Sequence, residues 1–282
     1  MTTPPVLLIT GTSSGIGFSS AIAAARAGFR VVATMRDPGR SGALDEAAAR
    51  AGVDVDIRQL DVTVPESISS CVAYIRETYG RLDALLNNAG AGHVGTIELE
   101  DLADVRAVFE VNFFGVVALT QAVLPLLRES RGRLVTVSSV GGVVGQPFNE
   151  AYCAAKFAVE GFMESLAPVA ATQGVRVSVV EPAAVATEFV PNIGLDALQS
   201  AAGTPYADAM SAYLARTATS FDPANAQTPD SAAEAIVAVL TAAEPPARAQ
   251  TSDAARRFAG MKLADLDGSA VTSVTATWVA SA

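Results

Sequence analysis

Histidine and cysteine are nearly missing from this chain of 282 residues, which holds one His and two Cys. His93, Cys71 and Cys153 cannot assemble an ordinary zinc centre, and the two cysteines have neither disulfide nor metal spacing. No metal site is expected, and the thiols are expected to be reduced and buried. Basic residues are also scarce. The 19 Lys and Arg stand against 29 Asp and Glu, giving a net charge of −10, and nowhere do they form a run. A nucleic-acid partner, which needs a basic stripe to meet phosphates, is thereby excluded. The N-terminal stretch has no basic region ahead of an apolar one, so it does not read as a signal peptide. No segment approaches the roughly 18 apolar residues of a membrane span. The expectation from these absences is a soluble, cytoplasmic protein with no membrane span.

What is plentiful is apolar. Hydrophobic residues make up 50 % of the chain and aromatic ones only 6 %, enough for a large core packed on small side chains. Short runs rich in Val, Ile and Leu alternate with helix-like stretches, the pattern of βαβ units and a parallel sheet. Strands are expected at Val6–Thr10, Phe29–Met35, Val55–Leu60, Leu82–Asn87, Leu134–Ser138 and Val175–Glu181, with a seventh at Arg248–Thr251. Their near-continuous apolarity suits strands covered on both faces. Helices are expected at Ile16–Ala27, Ala43–Ala51, Pro65–Tyr79, Leu102–Glu129, Ala151–Gln173 and Ser231–Ala242. Thr63 is the candidate cap ahead of Pro65, and Pro125 and Pro168 should kink or end their helices. After Thr187 the alternation fails. Residues 188–230 form a long excursion with one or two helices, and little is readable beyond Asp253. No repeat, charge block or linker divides the chain. The expected fold class is α/β: one doubly wound, Rossmann-type domain over residues 1–282, with a largely parallel seven-stranded sheet.

The segment Thr10-Gly11-Thr12-Ser13-Ser14-Gly15-Ile16-Gly17 falls where the first strand meets the first helix. Glycine permits the tight turn there and lets backbone N–H groups of Gly11, Ser13, Ser14, Gly15, Ile16 and Gly17 approach a pyrophosphate at the helix N-terminus. Gly11-Thr12-Ser13-Ser14-Gly15 also fits the G-x-S-x-G elbow of hydrolases, but that chemistry needs a late histidine and none follows His93. A phosphate-binding loop of the nucleotide-triphosphatase kind needs Lys and Ser or Thr after the second Gly. Ile16-Gly17 stands there instead.

Downstream, Tyr152-Cys153-Ala154-Ala155-Lys156 places a phenol and an ammonium four residues apart, on one helical face. A nearby cation favours the phenolate and brings a tyrosine toward the range of a general acid/base. Ser139 lies just past the fifth strand, where its hydroxyl could polarise a carbonyl, with Ser138 as its competitor.

The Gly-x-x-x-Gly-x-Gly spacing resembles the short-chain dehydrogenase/reductase family, and so do Asn87-Asn88-Ala89-Gly90, Asn112, Ser139, Tyr152 and Lys156 in that order. The segment from Ser139 to Gly161 is most similar to the branch containing 17β-hydroxysteroid and retinol dehydrogenases. The likeness extends over the whole chain, strongly to about Thr187. One departure is Pro182-Ala183, where many members have Pro-Gly. The resemblance implies catalytic roles for Asn112, Ser139, Tyr152 and Lys156. It also implies that Asn88, Ala89 and Gly90 line the cofactor cleft, that Asp61 and Val62 meet the adenine, and that Pro182, Val185 and Thr187 border the nicotinamide. Lys156 would hold the nicotinamide ribose, and Tyr152 would also contact the cofactor.

The second strand ends in Thr34-Met35-Arg36-Asp37. Members that prefer NAD place an acid where Met35 stands. Arg36 suits a 2′-phosphate by its fixed donor fork. The expected cofactor is NADP(H). NAD(H) is the alternative, with Asp37 as the ribose acid.

The expected activity is hydride transfer between this cofactor and the carbonyl or alcohol carbon of a lipophilic small molecule of steroid or retinoid type. Its binding loop would be the excursion, with Phe189, Val190, Ile193, Leu195, Leu198, Met210, Tyr213, Leu214 and Phe221 supplying an apolar face. His93 stands near the cleft as a possible substrate contact or plain polar surface. The alternatives are a cofactor-binding regulatory or scaffold protein without turnover, and an epimerase or dehydratase on the same fold. The resemblance also implies a homodimer or homotetramer formed through the two long helices.

Overall fold

A computed structural model of the chain describes residues 3–187 and 194–279, the side chains of Gly194 and Leu195 excepted. Seven strands form one sheet: β1 (Val6–Thr10), β2 (Arg30–Met35), β3 (Val55–Gln59), β4 (Ala84–Asn87), β5 (Arg133–Val137), β6 (Arg176–Glu181) and β7 (Arg248–Gln250). Their order is β3-β2-β1-β4-β5-β6-β7, and every pairing is parallel. The order in which successive strands are added reverses between β1 and β4, and a crevice opens there at the carboxyl ends of the strands.

The apolar runs become central strands because both faces are covered. Alternate side chains of β1 point to opposite sides. Leu8 joins Val32, Leu85 and Leu134 in one core, and Leu7 and Ile9 join Val31, Ala33 and Leu86 in the other. The first core is roofed by α3 (Pro65–Tyr79), α5 (Gly115–Ser130) and α6 (Glu150–Ala171). The second is roofed by α1 (Gly15–Arg26), α2 (Gly42–Ala51) and α9 (Pro229–Thr241). A short helix α4 (Leu102–Phe109) leads into α5 through a π-helical turn at Glu110–Phe114.

Several local expectations need correction. Thr63 does not cap α3. The residue before Pro65 in that role is Val64, which offers no side-chain bond, and Thr63 turns instead to Asp61. Pro125 and Pro168 both lie inside their helices and end neither. Around Pro125, burial of Val123, Leu126 and Leu127 holds the helix in place despite the lost hydrogen bond. The continuous helical run Leu102–Ser130 is long and apolar enough, by length and composition, to cross a membrane, contrary to the reading that no segment approached that limit. One side of it (Val116, Leu119, Val123, Leu126) is buried against the sheet.

The excursion supplies α7 (Gly194–Ala201) and α8 (Ala207–Phe221), while Phe189, Val190 and Ile193 lie outside the described residues. The tail, unread from sequence, folds as α10 (Asp253–Ala264) and α11 (Ser269–Ala276). Trp278 beyond them is buried with Phe148, Met210 and Tyr213.

Candidate active site

A cleft of about 1510 Å³ runs along the carboxyl ends of the strands, and every residue singled out above as catalytic or cofactor-binding lines it, except Asp37, the alternative ribose acid. At its floor is the turn between β1 and α1. Gly11 and Gly15 have φ of +71° and +60°, a region that L side chains rarely adopt. A Cβ on Gly17 would collide with the Gly11 carbonyl oxygen and the Asn88 side-chain amide. That amide is committed to the turn. Asn88 Nδ2 donates to the carbonyls of Thr10 and Gly11 at 2.9 and 3.0 Å, and the Thr10 hydroxyl accepts from the backbone amides of Asn88 and Ala89, both at 2.9 Å. The N-terminus of α1 has no side-chain cap. Its amides and the tight glycine cradle fit the pyrophosphate of a dinucleotide.

At one end of the cleft lie Met35, Arg36, Arg40 and Asp61. Thr63 donates to Asp61 Oδ1 from its hydroxyl at 2.7 Å and its amide at 2.9 Å. These bonds hold the Asp61 carboxyl below its usual range, with the charge of Arg36 adding to the effect. The Asp37 carboxylate, in contrast, accepts from its local Gly39 amide at 2.9 Å and stands outside the cleft lining.

In the middle, α6 presents Tyr152 and Lys156. The Lys156 Nζ donates to the Val137 carbonyl at 3.2 Å and lies 5.8 Å from the centroid of the Tyr152 ring. Burial pushes the Tyr152 phenol up to about 12, with a hydrogen bond from Ser139 opposing the rise. Burial brings the Lys156 ammonium down to about 8, with the charge of Glu160 opposing the fall. Ser139 follows β5 and accepts from the Gly141 amide at 3.0 Å. Ser138 is turned elsewhere, beside the buried Glu160, and neither its Oγ nor the Glu160 Oε1 has a hydrogen-bond partner among the described residues. Of the two candidate serines, Ser139 is thus the one bonded to Tyr152.

Asn112 sits in the π-helical turn, a distortion often found at functional sites. Its Nδ2 donates to the carbonyls of Ala91 and Val108 at 2.9 and 3.0 Å, and its Oδ1 accepts from the Ala91 amide at 3.3 Å. A Cβ built on Gly90 would lie 2.9 Å from that Oδ1 and 3.5 Å from Lys156 Nζ, so the asparagine and the lysine both close on the space that a side chain at Gly90 would occupy. Val185 and its neighbours are pinned by Gln227, whose amide donates to the Ala184 carbonyl at 3.0 Å and whose carbonyl accepts from Ala186 at 2.9 Å. Thr187 comes close to Gly15.

At the other end, Tyr213, Leu214, Phe221 and Phe258 give the cleft an apolar wall, while Met210 is buried beneath it. His93 lines the same end, with its Nε2 2.7 Å from Glu100 Oε1. Sequence reasoning missed Arg40, Asn149, Arg216 and Trp278. Asn149 is the residue before α6, and its amide donates to the Tyr213 hydroxyl, tying the α8 wall to the base of Tyr152's helix. No local pattern announces any of the four.

A family model described as short chain dehydrogenase matches residues 5–197. Retinol dehydrogenase 8 of Bos taurus is 42 % identical over 277 residues, covering 94 % of this chain and 87 % of the relative. The 17-beta-hydroxysteroid dehydrogenase type 1 of Homo sapiens is 38 % identical over 271 residues, covering 94 % and 82 %. A solved short-chain dehydrogenase from Streptomyces avermitilis superposes with a TM-score of 0.76 at 31 % identity, over 94 % of this chain and 93 % of that one. A short chain dehydrogenase/reductase from Burkholderia phymatum in complex with NAD superposes with a TM-score of 0.79 at 23 % identity, over 95 % and 96 % of the chains, a likeness of fold alone.

Proposed function

This chain belongs to the short-chain dehydrogenase family, and we propose that it is an NADP(H)-dependent oxidoreductase acting on the carbonyl or alcohol carbon of a lipophilic substrate. The observation that carries this reading is the meeting of Tyr152, Lys156 and Ser139 in one cleft with the glycine cradle. Bound in that cradle, a nicotinamide dinucleotide supplies or accepts the hydride. The chain's own residues handle the proton and the geometry. Ser139 donates a hydrogen bond to the substrate oxygen and holds it beside Tyr152. The Tyr152 phenol, protonated at neutral pH, gives its proton to that oxygen in the reductive direction. Lys156, charged below about 8, stabilises the phenolate left behind and offers its ammonium to ribose hydroxyls. Asn112 keeps the turn around Gly90 and Lys156 in register.

The preference for the 2′-phosphorylated cofactor rests on Arg36 and Arg40 lining the adenosine end while Asp37 is spent on Gly39. The lipophilic substrate rests on the wall of Tyr213, Leu214 and Phe258, and on the similarity to a retinol dehydrogenase and a hydroxysteroid dehydrogenase. We further place the protein in the cytoplasm as a homodimer or homotetramer, with a second copy against the long-helix face where Phe114 and Phe157 stand exposed.

The test is NADPH consumption against a panel of ketosteroids, retinals, aromatic ketones and fatty ketones, with small polar ketones and sugars as controls. Efficiency should rise with apolar size. No consumption with any carbonyl would overturn the reading.

A further inference from the structure

Arg216 occupies an unusual position for a cation. It lies on α8, three residues after Tyr213 and therefore on the same side of the helix, and both residues line the cleft. Its guanidinium carbon stands 3.6 Å above the ring of Trp278. Trp278 is itself buried and is backed by Phe258, with ring centroids 5.6 Å apart and planes at 26°. Stacking of this kind engages the flat face of a guanidinium and leaves its five in-plane N–H donors available. Among the described residues those donors meet no hydrogen-bond acceptor and no carboxylate.

The other charges at this end of the cleft are compensated. Arg256 is paired with Asp253 at 2.5 Å, and His93 with Glu100 at 2.7 Å. Arg216 is left as the uncompensated charge, in a chain whose net charge is −10. Arg216 is exposed as a whole, with one face of its guanidinium covered by Trp278 and its edge open to the cleft. A carboxylate arriving in its plane would meet that open edge with charge-assisted, bidentate hydrogen bonds.

The distances along the fold set where that carboxylate would sit. Tyr213 is joined to Asn149 at the start of α6, on the side of the cleft where Tyr152 works. Arg216 lies almost one helical turn further along α8, about 5 Å beyond Tyr213. Leu214 and Phe258 also line the cleft and supply apolar surface to it.

We propose that Arg216 is a substrate-recognition residue, and that the substrate is an apolar oxo- or hydroxy-carboxylic acid whose carboxylate lies on Arg216 at the end remote from the reacting carbon. This inference rests on the carbonyl–alcohol reading given above and names the substrate class within it.

The experiment compares a medium-chain oxo acid with its methyl ester, at fixed NADPH, in the wild type, Arg216→Leu and Arg216→Lys. The wild type should favour the acid in kcat/KM by at least about tenfold. Arg216→Leu should lose that preference through KM, while its turnover of the ester and its NADPH affinity stay within about twofold. Arg216→Lys should keep part of the preference, since the charge remains and the fork is lost. Retained ester turnover shows that the variants are folded. Equal efficiency for acid and ester in the wild type, or a preference that survives Arg216→Leu, overturns the inference alone. A weakened NADPH affinity in Arg216→Leu does the same, because it would assign the guanidinium to a cofactor phosphate. No consumption with either compound or any other ketone overturns the carbonyl–alcohol reading, and this inference with it.

Discussion

Lys156 and Glu160 lie one turn apart on α6, and both are buried: the ammonium is brought down to about 8 by its burial, and the carboxylate's charge resists that fall. The lysine beside Tyr152 is therefore not an isolated cation. Behind it stands Glu160 with Arg248 Nη2 at 3.2 Å, Arg248 Nε lies 2.7 Å from the fully buried Glu181, and the outlying Glu164 is 3.7 Å from Arg248.

The first prediction follows from that chain of charges. Carbonyl reduction needs a protonated Tyr152 and a charged Lys156, so kcat/KM should fall as pH rises through about 8, where Lys156 loses its proton while the phenol, near 12, keeps its own. Glu160→Gln removes the charge that opposes the fall in the Lys156 value and should move this alkaline limb to lower pH. A limb that stays in place would show that Glu160 serves the fold alone. The measurement is the pH dependence of NADPH oxidation in both proteins.

A second prediction concerns stability. Burial pushes the Glu160 carboxyl from 4.5 up to about 7, ahead of the opposing effects of the neighbouring Ser138 hydroxyl and of Arg248. Between those two values the folded state holds a proton that the unfolded state has released, so this group's contribution to stability is greatest below 4.5 and is lost as pH rises to about 7. Glu160→Gln should flatten that part of the stability–pH curve, as read from urea midpoints at pH 4.5, 6 and 7.5. An unchanged slope would contradict the assignment.

A third prediction tests the glycine cradle. Gly17→Ala places a Cβ against the Gly11 carbonyl and the Asn88 amide, so the turn must open. NADPH affinity, followed by fluorescence titration, should fall by at least about tenfold, which is about 1.4 kcal/mol. Affinity within twofold of wild type would show that the turn has room to adjust.

The cofactor preference gives a fourth. The wild type should prefer NADPH to NADH, and Met35→Asp should reverse the order by repelling a 2′-phosphate and accepting ribose hydroxyl bonds. Equal efficiency with both cofactors in the wild type would show that Arg36 and Arg40 are surface charges.

Much of this was legible in the sequence because it depends on local order. The apolar runs expected as strands at Val6–Thr10 and Leu134–Ser138 form central strands at Val6–Thr10 and Arg133–Val137, because near-continuous apolarity is itself the mark of a strand covered on both faces. The glycine spacing marked the floor of the cleft, and the Tyr152–Lys156 interval placed the pair on one helical face. What stayed hidden depends on residues distant in sequence. Trp278 under Arg216, and Asn149 bonded to Tyr213, are juxtapositions made by the tertiary fold. Thr63 misled for a related reason, since its hydroxyl had two acceptable uses and Asp61 won it. The prolines at 125 and 168 end neither helix, and around Pro125 the burial of Val123, Leu126 and Leu127 outweighs one missing backbone bond.

The most direct test of the account is single-turnover carbonyl reduction by Tyr152→Phe, with NADPH affinity measured on the same protein. The substitution removes only the phenolic oxygen, so the cofactor should bind within a few-fold of wild type while turnover falls by about 10²-fold or more. Lys156→Ala, run alongside, should damage both. Substantial turnover by purified Tyr152→Phe would contradict the assignment of Tyr152 as the acid/base.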